Sequence, residues 1–209
     1  MENSFAVITG LSSDTGMDLA KKFGLAGFEL LIASNRDDIF ESQRILEEEG
    51  FVVEAIKVNL ATYAGVENLF HRIQNYGMIL EALAINTEIG NGRPFLETPM
   101  RKEIHLVNQN IISSMHLIKS VLPDMKIRGK GKILISTSPN SDAPTKAFLR
   151  SFVESLGNEL KDSEVTIKIL MERKESHLSE GIMAKFHVYA EKAKAQLQRK
   201  LSEQGHVKH

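Results

Sequence analysis

Six short apolar runs separated by stretches of helical length constrain this chain more than any other feature. Phe5 to Thr9, Leu30 to Ala33, Phe51 to Val58, Ala82 to Ile85, Lys132 to Thr137 and Val165 to Leu170 each have the length and content of a buried strand. Helical patterns fill the gaps. One follows the first strand through about Leu25, with Leu19, Ala20 and Phe23 turned inward. Asp37 to Glu49 offers Ile39, Ile45 and Leu46, and the next stripe is Val66, Leu69, Phe70 and Ile73. From Met100 to Leu122 the residues Ile104, Val107, Ile111, Met115, Ile118 and Leu122 step by three or four, and Pro123 predicts a stop just beyond. Lys146 to Leu160 carries Leu149, Phe152, Leu156 and Leu160 on one side. Strands alternating with helices form right-handed crossovers, which demand a parallel sheet covered on both faces. The expectation is α/β: a single Rossmann-like, doubly wound sheet of about six strands over residues 1–171. A C-terminal tail, 172–209, then carries an amphipathic helix with Phe186, Ala190, Ala193, Leu197 and Leu201 on one face. That tail has eight Lys or Arg against five Glu, and its expected role is packing on the same domain or on a partner subunit.

Composition narrows the chemistry. The chain of 209 residues has no Cys, which excludes disulfide scaffolds, thiolate metal sites and thiol nucleophiles. Its 26 Lys and Arg against 27 Asp and Glu argue against a dedicated nucleic-acid binder. No apolar run is long enough to span a bilayer and the N-terminus lacks signal-peptide features, so a cytoplasmic protein without membrane contact is expected. His71, His105 and His116 are scattered, and no metal site is expected.

The first strand runs into T-G-L-S-S-D-T-G, Thr9 to Gly16. A turn between a parallel strand and its helix exposes backbone N–H groups beside the positive end of the helix, a place for a pyrophosphate. Gly10 permits the tight turn, Gly16 permits close approach, and Ser12, Ser13 and Thr15 complete the candidate cradle. The same residues also suit an ordinary βα turn capped by Ser13 or Asp14. A carboxylate at Asp14 would repel a phosphate unless it points away. At the tip of the second strand stand Ser34, Asn35 and Arg36. An acid there would grip a ribose; a neutral tip followed by Arg leaves room for a ribose 2′-phosphate and favours NADP over NAD. The alternative for Arg36 is a surface pair with Asp37 or Asp38.

These residues together resemble the short-chain dehydrogenase/reductase family from about Ser4 to Leu170. Thr9, Gly10 and Gly16 match the family's opening glycine motif, with Asp14 at its middle glycine. Asn59 falls where the family often has an Asp near the adenine, and Asn86 is what remains of its N-N-A-G turn. The segment N-I-I-S-S-M-H-L-I-K-S-V-L-P resembles the one holding the family's helix Asn, identifying Asn110. Ser138 falls on the catalytic serine, and K-A-F-L-R-S-F-V-E-S-L-G-N-E-L identifies Lys146. The resemblance implies catalytic roles for Ser138, Lys146 and Asn110. It implies cofactor contacts at Gly10, Ser12, Ser13, Thr15, Gly16, Arg36, Asn59, Asn86 and Lys146. It also implies a small-molecule carbonyl or alcohol substrate and homodimers or homotetramers. The family's Tyr, four residues before the Lys, is replaced by Asp142, and the segment after Ser138 is short. Without the phenol the obvious proton donor is missing. Three functions therefore stand open: a divergent NADP(H)-preferring oxidoreductase, a Rossmann protein binding a dinucleotide without turnover, and a partner-binding relic with no cofactor.

Overall fold

The computed structural model describes residues 4–11, 14–87, 94–137 and 143–171. Ser12, Ser13, Ser138, Asp142 and the tail 172–209 lie outside them, as does the side chain of Asp14. The chain order is β1 (Ser4–Thr9), α1 (Asp14–Leu25), β2 (Glu29–Ser34), α2 (Ile39–Glu48), β3 (Val53–Lys57), α3 (Tyr63–Gln74) and β4 (Ile79–Thr87). It continues with a 3-10 turn (Phe95–Glu97), α4 (Met100–Val107), a π-helical turn (Asn108–Ile112), α5 (Ser113–Arg128), β5 (Gly131–Thr137), α6 (Ala143–Glu159) and β6 (Val165–Met171). The strands are all parallel in the order β3-β2-β1-β4-β5-β6. The sequence direction of the order reverses between β1 and β4. In doubly wound sheets, ligands bind in the crevice at the strand carboxyl ends on either side of such a reversal.

Alternate residues of each strand feed two cores. Phe5, Val7, Leu83, Ile85, Ile133 and Ile135 face α3, α5 and α6, meeting Leu69, Leu117, Val121, Leu149 and Val153. Ala6, Ile8, Leu30, Ile32, Ala82 and Ala84 face α1 and α2, meeting Leu19, Phe23, Ile39 and Leu46. The second face is built with alanines at β4, and that lets α1 sit close to the centre of the sheet. Each fully buried Leu or Phe contributes about 1.5–3 kcal/mol. Leu19, Ala20 and Phe23 are all fully buried, as their spacing requires.

The long helix departs from its sequence reading in two ways. It continues through Pro123 to Arg128 and ends at Gly129, whose φ of 64° makes the left-handed cap. Val121 and Met125 are both core residues, and their burial outweighs the one backbone bond that Pro123 removes. The helix is also interrupted by the π turn at Asn108–Ile112. The inward side carries Leu106, Asn110, Ser114, Leu117, Val121 and Met125, with Ile118 buried as its spacing predicts, while Met100, Ile104, Val107 and Met115 are exposed. No helix among the described residues is long and apolar enough to cross a membrane.

Candidate functional site at the β1 and β4 tips

Gly10 follows β1 with φ 73°, a conformation open to glycine at no steric cost. A methyl group on it would lie 2.3 Å from the Asn86 carbonyl oxygen, so the turn is pressed directly against the end of β4. A methyl on Gly16 would lie 2.5 Å from the Gly10 carbonyl oxygen, which brings the first turn of α1 onto the same peptide. The Gly10 N–H donates to Ala33 O at 3.0 Å. The Asn86 side chain closes the arrangement. Its Nδ2 donates to Gly10 O at 2.7 Å, and its Oδ1 accepts from Ser136 Oγ at 2.6 Å. Thr87 Oγ1 donates to Ser136 O at 3.0 Å. Three adjacent strand ends, β1, β4 and β5, are thus tied by side chains beyond their ladder.

Arg36 Nε and Nη2 donate to Asp38 Oδ2 at 2.9 and 2.7 Å, the alternative that the sequence left open. Both side chains are more than half exposed. The guanidinium beside Asp38 holds its carboxyl below the usual carboxylate range. Asp37 pairs with Lys57 from β3 instead. Asn59, exposed just beyond β3, accepts the Ala61 N–H on its Oδ1 at 3.0 Å and shapes the turn into α3, which Thr62 caps by accepting from Gly65 N–H at 3.1 Å.

Asn110 sits in the π turn and is 1% exposed. A π turn holds one residue more than an α turn and loosens the carbonyls around it. Ser114 Oγ donates to Asn110 O at 2.6 Å, and Ser113 Oγ donates to Gln109 O, so the two serines occupy carbonyls at the widened turn. The turn packs against α6, which carries buried Thr145 and half-buried Lys146. Two buried polar atoms in this region have no hydrogen-bond partner: Gln109 Oε1 and Thr137 Oγ1. A cavity of about 10 Å3 lies between the tips of β1 and β4 and the start of α5, lined in part by Gln109, Ser113 and Ser114. It has room for about one water molecule, so it is interior packing beneath the turn. Burial pulls the pKa of Lys132 down to about 8, with Lys130 and Lys168 as the lesser causes. It stands at the opposite end of β5 from Thr137.

The structure thus brings Gly10, Gly16 and Asn86 into one packed unit and sets Asn110 and Lys146 on neighbouring elements. Arg36 and Asn59 stand at the ends of β2 and β3, and Thr15 lies in the first turn of α1. Sequence reasoning missed Ser136, Thr87 and Gln109. Ser136 is the penultimate residue of β5, next to Thr137, so its local pattern is that of an ordinary polar strand end. Among the described residues no cluster of three or more His, Asp or Glu is placed to hold a metal ion.

Comparison with known proteins follows the same outline. The family model described as short chain dehydrogenase matches residues 4–171. A very-long-chain 3-oxoacyl-CoA reductase of Pyricularia oryzae is 26% identical over 187 residues, covering 81% of this chain and 56% of that protein. The enzyme of the same name from Ajellomyces capsulatus is 25% identical over 201 residues, covering 88% of this chain and 57% of that protein. The chain therefore spans about half the length of the curated relatives it matches. Among solved structures, actinorhodin polyketide ketoreductase with NADPH superposes with a TM-score of 0.74 at 20% identity, covering 81% of this chain and 70% of that one. L-sorbose reductase from Gluconobacter frateurii, complexed with NADPH and L-sorbose, gives 0.69 at 24% identity, covering 79% and 68%.

Proposed function

The chain belongs to the short chain dehydrogenase family, and from that premise we propose that it is an NADP(H)-dependent oxidoreductase interconverting a carbonyl compound and its alcohol. The observation that carries the proposal is the Gly10–Gly16–Asn86 unit. A backbone turn with no room for a methyl group at either glycine, set at the reversal of strand order, fits a dinucleotide pyrophosphate. Gly10, Ser12, Ser13, Thr15 and Gly16 would cradle the phosphates, Asn59 the adenine, and Asn86 and Lys146 the nicotinamide end.

Arg36 supports NADP(H) over NAD(H). Its partner Asp38 is exposed, and an exposed ion pair is worth about 0–1 kcal/mol. A 2′-phosphate presents more charge and several acceptor oxygens to the same guanidinium, so exchanging Asp38 for it is favourable. The NADPH in the ketoreductase and sorbose reductase structures agrees with this reading.

A bound dihydronicotinamide supplies the hydride. In this chain Ser138 would polarise the substrate carbonyl, and Asn110 and Lys146 would sustain the proton path to the developing alkoxide. Asp142 stands where the family's phenol would donate that proton, so turnover is expected to be slow. The names of the fungal relatives make a 3-oxoacyl thioester the first carbonyl to present. The exposed row Met100, Ile104, Val107 and Met115, with Phe148 from α6, is proposed to be covered by a second copy of the chain in a homodimer or homotetramer.

Titration with NADPH and NADH, followed by nicotinamide fluorescence, tests the assignment. NADPH is expected to bind tighter, and Arg36→Ala is expected to weaken NADPH about 10-fold while leaving NADH unchanged. Equal loss for both removes the 2′-phosphate assignment, and failure of both to bind at millimolar concentration removes the function.

A further inference from the structure

The hydrogen bonds across the strand tips form a chain with a direction, and it starts at Ser136. That residue is fully buried, on the sheet face that also carries Leu134 and Ala84. Alanine would fill the position with no polar group to desolvate, so the hydroxyl serves the bond it makes rather than the core. It donates to Asn86 Oδ1 at 2.6 Å. The other end of the same amide, Nδ2, donates to Gly10 O at 2.7 Å. A reversed amide would set Oδ1 against the Gly10 carbonyl, acceptor against acceptor. The observed orientation therefore leaves Oδ1 facing Ser136, buried and in need of a donor. The Ser136 hydroxyl supplies it, and with Gly10 O at the other end the amide is held at both.

Gly10 O belongs to the first peptide of the turn. In a trans peptide the C=O of one residue and the N–H of the next point in opposite directions. Asn86 holds the Gly10 carbonyl toward β4, so the Leu11 N–H is held away from β4. With Gly16 seated on the same carbonyl, the orientation of this peptide determines how the turn presents its amides.

We propose that Ser136 is a positioning residue for the dinucleotide turn: it orients Asn86, and through Asn86 it fixes the Gly10–Leu11 peptide in the conformation that receives the cofactor's pyrophosphate. The proposal rests on the NADP(H) reading above. It concerns a hydroxyl distinct from that of Ser138, acting from β5 across β4 on a turn that follows β1. The bond from Thr87 Oγ1 to Ser136 O and the β4–β5 ladder use the backbone of Ser136 and survive replacement of its side chain.

The test compares wild type, Ser136→Ala, which removes the donor, and Ser136→Cys, which keeps a weak one. Two readouts are needed: the Leu11 amide resonance in the nucleotide-free protein, and the Kd for NADPH. In Ser136→Ala the Leu11 amide is expected to shift and broaden while the amides of Ala6 and Val7 stay in place, and the Kd is expected to rise 5- to 10-fold. Ser136→Cys is expected to fall between, and it carries the test if the alanine variant does not fold. An unmoved Leu11 amide, or a Kd within 2-fold of wild type, overturns the proposal. If wild type binds no dinucleotide, the function is lost and the proposal with it, whereas binding by wild type with no response to either variant removes the positioning role alone.

Discussion

The turn after β1 and the region around the π turn and the end of β5 lie at the same end of one sheet, yet they are held by different physics. In the turn, geometry is set by backbone pressed on backbone. Gly10 and Gly16 leave no space for a methyl group, and the Asn86 side chain is bonded at both ends. Around β5, geometry is set by side chains in a polar interior, where Gln109 Oε1 and Thr137 Oγ1 are buried without partners. A change in the first region is expected to cost stability. A change in the second is expected to leave the sheet intact and to act on the proposed chemistry. The sequence is in keeping with this division: Thr9, Gly10 and Gly16 stand in the turn, and Asp142 stands four residues before Lys146, where the resemblance implies a Tyr.

The most severe way to probe that contrast is Gly10→Ala. The left-handed φ costs about 1–2 kcal/mol, and the 2.3 Å overlap with Asn86 O adds overpacking of about 1–3 kcal/mol. Urea unfolding is expected to show a loss of about 2–5 kcal/mol, and a loss under 1 kcal/mol would mean that the turn is not determined by packing. On the other side of the comparison, Asp142→Tyr places a phenol four residues before Lys146 in sequence. It is expected to raise carbonyl reduction about 100-fold while moving the urea midpoint little. An unchanged rate would show that the shortened segment, and not the missing donor, limits the chemistry. The smallest effect is Thr137→Val. It removes a buried hydroxyl that has no partner, so the unfolding free energy is expected to rise by about 1 kcal/mol. A drop would show that the hydroxyl is bonded in the folded chain.

How much of this was legible in the sequence differs element by element. The six strands were readable because both faces of a parallel sheet are buried and the runs are nearly all apolar. Their ends were less so: β4 has nine residues, gaining Ile79–Glu81 at its start and, at its end, Asn86 and Thr87, which keep the ladder with Ser136 and Thr137 despite being polar. Pro123 misled because a proline inside a helix gives way when Val121 and Met125 on either side are core residues. The stripe from Ile104 to Met115 was periodic, but periodicity does not say which side faces the sheet, and the true inner face carries Asn110 and Ser114. Arg36 was placed with its alternatives open, and the isolated chain adopts the pairing with Asp38. Ser136 went unnoticed since its value comes from a neighbour 50 positions away in sequence, which no local pattern encodes.

The extra residue of the π turn advances the helix by about 100°. The cylinder before it turns Met100, Ile104 and Val107 outward and Leu106 inward, and the cylinder after it keeps Leu117, Val121 and Met125 on the inward side. Losing a single codon there would leave both cylinders helical but swing the upstream one by more than a quarter revolution, carrying its oily side to a new bearing. One insertion or deletion there would redirect an exposed apolar face and leave the strands as they are.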